Sequence, residues 1–471
     1  MGREAVLSLS NEDRTPNPQG LKSPMTPILI LGTLFFTIYY LRQHTVGDAA
    51  VNIFLPVFLL IPSFYGFRLP HLPGLNFPTA ALIPIVVAIV GRHFKDWKFQ
   101  RTDLWIFFFV AGSYYSELSH SGASNAGLII LEGVYAGILP YILGKMVLEQ
   151  DGIRERFVRR FALICFVVAV VSLWEFRMGT DLFMMVEGLF LGRGQFLGGQ
   201  VRNGFMRIAG TFGGSIQAGT IFSMAWLFAM WLGMVDKERG TERKYWGLRR
   251  STILSIGAAG GLLMTLSRGP MIGMAISYLV ARIGKAKNMT LASIVTLVLL
   301  CVGGTIGYIK AQQYTQGPAQ NQDQENAIYR RILLDEYKPY VERGGLFGWG
   351  VVDRPVVPGM FSIDNAYLNI QLQQGNLGLW TLLLMGGESL LAAFLAARRA
   401  TQRSDVFFAL CMLGGMAGLL LSMTSVWLGP PMYALFFMMV GWSQSLRQTE
   451  SVSVMVQQPA NTRFAFRRVV A

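Results

Sequence analysis

The sequence predicts an all-α fold: a polytopic transmembrane bundle of about 12–13 helices that carries one large extracytoplasmic loop. Three observations predict it. The chain has 471 residues, of which 52% are hydrophobic and only 14% charged, and its mean hydropathy is +0.41. Its apolar runs are long and continuous rather than alternating. In lipid, where backbone polar groups must be satisfied internally, that pattern selects helices over a closed barrel. Its basic residues gather in short connections between the runs, the positive-inside signature of cytoplasmic loops.

Hydropathy places the spans at 26–41, 49–67, 76–91, 104–119, 126–148, 158–176, 211–235, 251–267, 269–284, 289–309, 376–397, 406–423 and 425–446. The basic connections order most of them. Arg92, Lys95, Lys98 and Arg101 follow the third run, and Arg154, Arg156, Arg159 and Arg160 the fifth. Lys237, Arg239, Arg243, Lys244, Arg249 and Arg250 follow the seventh; Arg282, Lys285 and Lys287 the ninth; Arg398, Arg399 and Arg403 the eleventh. Counting back from them puts the C-terminus inside, and puts 310–373, the Ser267-Arg268-Gly269 turn and the segment 177–210 together outside. Thirteen crossings would leave the N-terminus outside, whereas Arg3, Arg14 and Lys22 favour the inside, which twelve crossings would satisfy.

The expected organisation is therefore a cytoplasmic tail 1–25, membrane helices over 26–309, an extracytoplasmic loop 310–373, further helices over 374–446 and a cytoplasmic tail 447–471. The first apolar run, Met25 to Leu41, lacks a small-residue cleavage site, so no cleavable signal peptide is expected. Cys165, Cys301 and Cys411 lie inside apolar runs and read as core thiols. The net charge of +14 does not point to nucleic acid, because the loops of a membrane protein account for it. His44, His71, His93 and His120 all lie in the first 120 residues, and no metal-ligand spacing or phosphate-loop motif is present.

The polar stretch from Lys310 to Gln373 is nearly neutral, with six Lys or Arg and seven Asp or Glu. Its first part, QQYTQGPAQNQDQEN, reads as loop. The next, AIYRRILLDEYKPYVERGG, has apolar residues at helical spacing and predicts an amphipathic helix, able to rest on a membrane interface, that Gly344-Gly345 stops.

Five polar positions stand out. Arg268 follows an apolar run and precedes Gly269-Pro270. An arginine at a span end can snorkel to the interface, but the positive-inside pattern gives one on this face no anchoring role. Proline in the first turn leaves the next helix's free N–H groups directed at an anion. Arg207 precedes Gly210-Thr211-Phe212-Gly213-Gly214 on the same face, in a segment where Arg177, Arg193, Arg202 and Arg207 outnumber Asp181 and Glu187. Such a glycine-rich stretch is either a flexible headgroup contact or a backbone able to approach a phosphate closely. Asp364 opens DNAYLNIQLQQGNLG and fits a helix N-cap; a helix from there carries Gln371, Gly375 and Gly378 within about 40° of its own face, where glycines serve close packing or a groove. Arg330 and Arg331 lie on the expected amphipathic helix, where arginines are commonly solvated.

The arrangement resembles the O-antigen ligase and O-antigen/exopolysaccharide polymerase superfamily. The ligase pattern is a histidine, then Asn, Ser or Gln, nine residues, and Gly-x-x-Gly; here Asp364-Asn365 is followed by nine residues and Gly375-Asn376-Leu377-Gly378. The Ser267-Arg268-Gly269 turn, the Arg207…Gly210-Thr211-Phe212 stretch and Leu346-Phe347-Gly348-Trp349-Gly350 also look like the family, and the likeness covers roughly 204–385. The resemblance implies glycosyl transfer on the periplasmic face of a bacterial inner membrane, from undecaprenyl-diphosphate-linked oligosaccharide to an acceptor glycan or lipid, with a flippase and a chain-length regulator as partners and no cofactor. Arg207 and Arg268 would hold the diphosphate and Asp364 would orient or deprotonate the acceptor; Arg330, Arg331, Asn365, Gln371, Gly375 and Gly378 would line the substrate. An aspartate is a weaker base than the histidine it replaces. That departure favours a polymerase over a ligase to lipid A core, and the superfamily also contains protein O-oligosaccharide ligases. A transporter, such as an inorganic-carbon-uptake protein, is the alternative of another class, because membrane arginines and glycine-broken helices serve transport as well.

Overall fold

A computed structural model describes residues 23, 25–67, 74–192, 201–202, 204–283, 286, 288–360, 362–427 and 429–457. Most of the expected N-terminal tail lies outside this set, as do Arg193, His71, Lys285 and Lys287.

The described residues are helical apart from connections and three hairpins of two-residue strands. The helices are α1 (Met25–Tyr40), α2 (Val46–Leu60), α3 (Phe77–His93), α4 (Arg101–Ser121), α5 (Ala123–Met146), α6 (Ile153–Met178), α7 (Leu182–Leu191) and α8 (Ser215–Glu238). They continue with α9 (Arg250–Met264), α10 (Arg268–Ile283), α11 (Met289–Tyr314), α12 (Gln322–Gly344), α13 (Ala366–Arg399), α14 (Arg403–Ser422) and α15 (Pro430–Gln457). Every expected apolar run overlaps one of them, although the run 49–67 leaves α2 at Leu60, with Gly66–Phe67 pairing as a strand, and the last run starts before α15. Among the described residues six helices are, by length and composition, long and apolar enough to cross a membrane: α5, α6, α8, α11, α13 and α14. α1, α2, α3 and α7 are apolar but shorter.

Three expectations need correction. The segment 177–210 is not all loop, since α7 forms within it, capped by the Asp181 carboxylate accepting from the Phe183 amide at 2.9 Å. The apolar helix α11 continues to Tyr314 and α12 begins at Gln322, so of QQYTQGPAQNQDQEN only residues 315–321, about half, are loop. The connection is short because Gln324 pins it, donating to the Tyr314 carbonyl and accepting from the Gln320 amide. Cys301 is exposed on α11, which buries none of its residues, whereas Cys165 and Cys411 are buried.

Prolines shape two helices. α2 and α5 each contain a π-turn, Ala50–Phe54 and Val134–Ile138, directly before Leu55-Pro56 and Leu139-Pro140. A proline lacks the N–H of the regular ladder and crowds the carbonyl four residues back, and the wider turn accommodates both losses. Glycines set the closest contacts. A Cβ on Gly144 would stand 2.1 Å from the Met438 carbonyl oxygen, and one on Gly441 2.2 Å from that of Tyr141, so α5 and α15 touch backbone to backbone. α10 meets α14 in the same way at Gly273 and Gly418, and Ser277 donates to the Gly414 carbonyl at 2.6 Å. That contact sets where Arg268, the first residue of α10, stands.

α6 gives the bundle two distinct ends. At its start Arg154 holds Glu149 and Asp405, and Arg159 holds Glu155 and Asp236 at 2.8 Å. Near its other end, about 30 Å away at 1.5 Å per residue, Glu175 lies beneath the segment that carries Arg207.

Candidate functional site

Arg207 is held by its backbone. The Glu175 carboxylate, 2% exposed, accepts from the amides of Ala209 at 2.9 Å and Gly210 at 3.0 Å, and the Ile208 amide donates to the Met264 carbonyl. Gly210 has φ 52°, and a Cβ there would meet Ser172 Oγ at 3.0 Å, so the tight turn admits glycine. A carboxylate at the end of an apolar run is expensive unless it works; here it satisfies two amides that no helix serves. The Arg207 guanidinium then donates from Nε to the Thr265 carbonyl at 3.1 Å and from Nη2 to Ser267 Oγ at 2.8 Å. Thr265-Leu266-Ser267 is the turn between α9 and α10, where Leu266 takes φ 49°, a conformation that costs a non-glycine residue about 1–2 kcal/mol. Arg207 therefore braces the turn from which Arg268 starts.

A small hairpin, Val201–Arg202 paired with Phe205–Met206, adds Arg202. Its guanidinium donates to the Leu266 carbonyl at 2.9 Å and to the carboxylate of Asp323, in the first turn of α12. Arg268 donates to the other oxygen of Asp323 at 2.6 Å. The Arg202 hydrogen bond, with Arg268 beside it, holds the Asp323 carboxyl below the ordinary carboxylate range. Two turns along α12, Arg330 is exposed and without an ion pair among the described residues. Burial pushes the Arg207 guanidinium down, and the charges of Arg202 and Arg330 push the same way. Two arginines thus share one carboxylate, and Arg202 and Arg330 lie close enough to Arg207 for their charges to be felt there.

α12 also reaches Asp364. The Tyr329 hydroxyl donates to the Ser362 carbonyl at 2.8 Å and accepts from its amide at 3.0 Å, and Ser362 Oγ donates to Asp364 Oδ1 at 2.5 Å. The apolar stripe of α12, Tyr329, Leu333 and Tyr337, packs on Val357, Ile363, Leu368 and Leu372. The stripe that could have rested on a membrane interface is taken up inside the molecule. The connection after α14 ties Asp364 to the arginines: the Ala366 amide donates to the Met423 carbonyl at 2.9 Å, and a Cβ on Gly269 would meet Ser425 Oγ at 2.9 Å.

Asp364 does not cap α13. Asn365 does, its side chain accepting from the Leu368 amide at 3.1 Å. The expected stripe of Gln371, Gly375 and Gly378 does not form, because α13 breaks at Gly375, φ 64° and ψ −161°. The segment Gly344–Gly350 fills the break. Trp349 and Gly350 donate their amides to the carbonyls of Leu372 and Gln373, while Asn376 and Leu377 donate to Gly345 and Leu346. A Cβ on Gly375 would lie 2.4 Å from the Leu346 carbonyl oxygen, and one on Gly348 2.4 Å from the Gly375 nitrogen. From α4, Ser116 Oγ donates to the Gln373 carbonyl at 2.6 Å and accepts from the Gly350 amide, and buried Glu117 accepts from the Val351 amide at 2.5 Å. The family-like glycines Gly348, Gly350 and Gly375 therefore build a backbone joint.

The structure accordingly brings Arg207, Arg268 and Arg330 into one neighbourhood with Arg202 and Asp323, and connects Asp364 to it through Tyr329 of α12 and Ser362. It does not add Arg331, exposed and without an ion pair among the described residues, nor Gln371, which donates to Asn376 Oδ1 across the break, nor Gly378, packed on Gln374. The sequence marks Arg202 only as one of several basic residues in its segment and does not single out Asp323, Glu175 or Tyr329. Glu175 carried a signal, an acidic residue ending an apolar helix; Asp323 carried none. Among the described residues no group of three His, Cys, Asp or Glu side chains is placed to hold a metal ion. Comparison with protein-family models gives no match, and comparison with curated proteins gives none.

Proposed function

We propose that the protein is a membrane glycosyltransferase that extends or transfers undecaprenyl-diphosphate-linked glycan on the periplasmic face of the inner membrane, as a polysaccharide polymerase. The observation that carries this reading is the pairing of Arg202 and Arg268 on Asp323, with Arg207 near Arg202 and Arg330, and α12 linking the group to Asp364 through Tyr329 and Ser362. Guanidinium forks bind phosphate oxygens in pairs, and an excess of them at one end of a membrane bundle suits a lipid diphosphate.

In this reaction the acceptor hydroxyl attacks the anomeric carbon of the donor sugar. The bond from that carbon to the diphosphate oxygen breaks, and the electron pair leaves with the lipid diphosphate. Arg207 and Arg268 stabilise the charge that develops there, with Arg202 and Arg330 beside them. Asp364 orients the hydroxyl and takes its proton. A ligase that transfers the glycan to lipid A core or to protein would use the same groups with another acceptor. The break at Gly375 is a feature that favours a transporter, since unwound helices there coordinate ions; here the groups at the break are taken up by Gly344–Gly350.

Substituting Arg268→Lys tests the reading. Lysine keeps the charge but cannot copy a fork. Chain elongation should fall about tenfold or more at normal protein level; undiminished elongation would contradict a diphosphate-binding role.

A further inference from the structure

The connection between α8 and α9 is a small hairpin, at the end of the bundle where Asp236 meets Arg159 and opposite the arginine group. Lys244–Tyr245 pairs with Leu248–Arg249 in antiparallel register, and the Arg250 amide extends the ladder by donating to the Arg243 carbonyl at 2.9 Å. Its two-residue loop, Trp246-Gly247, has positive φ at both positions, 51° and 79°, the primed geometry that matches the twist of paired strands. The hairpin contains three local conflicts. First, Asn, Asp or Gly suits the leading loop position, and a bulky side chain there is strained. Among the described residues only Trp246 and Leu266 are non-glycines with positive φ. The turn at Leu266 is held by Arg202 and Arg207, whereas Trp246 is 98% exposed. Second, Lys244 stands directly opposite Arg249, and like charges in that position repel. Third, an isolated two-stranded hairpin is marginal in water, yet its apolar pair, Tyr245 and Leu248, which strand alternation puts on the other face from the cations, is itself about half exposed.

One kind of surface relieves all three. α8 is long and apolar enough to cross a membrane, and the hairpin lies between its last residue and the first of α9, so in a bilayer it stands at the level of the headgroups. Tryptophan is favoured there, and anionic phosphates neutralise paired cations. Arg243 and Lys244 have no ion pair among the described residues, while Arg249 holds Glu242 at 3.1 Å and Arg239 holds Glu155. The positive-inside tendency accounts for an excess of basic residues in this connection, but not for a tryptophan at a strained tip or for cations paired across a ladder.

We propose that this hairpin is an anchor for anionic phospholipid: Trp246, Tyr245 and Leu248 enter the boundary between headgroups and acyl chains, while Arg243, Lys244 and Arg249 hold the phosphates. The anchor goes beyond the glycosyl transfer proposed above and does not depend on it. In the fold it fixes the depth of α9, whose far end carries the turn that Arg207 braces.

The test uses the full-length protein in nanodiscs of phosphatidylcholine, alone or with about 30% phosphatidylglycerol. Amide exchange over 243–250 should slow about tenfold in the anionic bilayer. The double variant Lys244→Gln with Arg249→Gln, which changes only exposed side chains, should lose that difference. Trp246→Asn places Asn-Gly, a favoured loop of this type, at the tip and so retains the hairpin. Subtracting its tryptophan emission from that of the wild type isolates Trp246, which lipids brominated near the headgroup should quench. Equal exchange in the two bilayers, a phosphatidylglycerol effect that survives the double variant, or an unquenched Trp246 would overturn the anchor. Slowing by added polyglutamate and not by phosphatidylglycerol would also overturn it, and would assign the surface to an acidic protein.

Discussion

Arg268 donates to Asp323 at 2.6 Å, joining the first residue of α10 to the first turn of α12 across 55 positions of sequence. Arg202 holds the other oxygen of the same carboxylate. A single acidic side chain thus sits where a diphosphate would be gripped, and it ties α12 over the arginines. Because its folded pKa lies below the unfolded value, the tie is fully present above the ordinary carboxylate pKa and is lost as pH falls through the depressed one. Hydrogen-exchange protection across 322–330, corrected for intrinsic rates, should be flat from about pH 8 to pH 5 and fall only below about pH 4. Protection that already drops between pH 7 and 5 would show that another group holds α12 down.

The joint at Gly375 gives a stability prediction with an internal control. Gly375→Ala sets a Cβ 2.4 Å from the Leu346 carbonyl oxygen in a left-handed conformation, and neither backbone can yield. It should cost more than about 2 kcal/mol. Gly387→Ala, further along α13 with nothing within 4 Å of the new Cβ, should be neutral or stabilising by up to about 1 kcal/mol. Thermal melts of the two variants in the same detergent compare them; equal melting temperatures would remove the backbone joint from the account.

The sidedness that the basic connections predict can be measured directly. With Cys301 replaced by Ser, a cysteine at Ala319, exposed between α11 and α12, should react with a membrane-impermeant maleimide in intact spheroplasts. One at Thr241, exposed between α8 and α9, should react only after permeabilisation. The reverse pattern would place Arg268 and Asp364 on the cytoplasmic face and end the proposed mechanism.

Much of this was legible in the sequence, and the rest had physical reasons to be hidden. Continuous apolar runs mark helices because burial in lipid imposes them locally, and Tyr329, Leu333 and Tyr337 announced α12 by their spacing. The start of α12 was missed because Asp323 and Gln324 are polar and no apolar period reaches them. The helical wheel drawn from Asp364 failed at Gly375, since it assumes an unbroken helix and the break is made by Gly344–Gly350 docking from elsewhere in the chain. Asn365 rather than Asp364 caps α13, a one-residue difference below what capping preferences distinguish.

The most direct test of the central claim, that Asp364 and the arginines together perform glycosyl transfer, is the profile of lipid-linked glycans in cells whose sole copy is Asp364→Asn. Asn365 does the capping and Ser362 can still donate to the amide oxygen, so the variant should fold and insert normally. The account predicts that undecaprenyl-diphosphate-linked single repeats accumulate while polymer disappears. Polymer of wild-type length and amount in Asp364→Asn, at normal protein level, would contradict it.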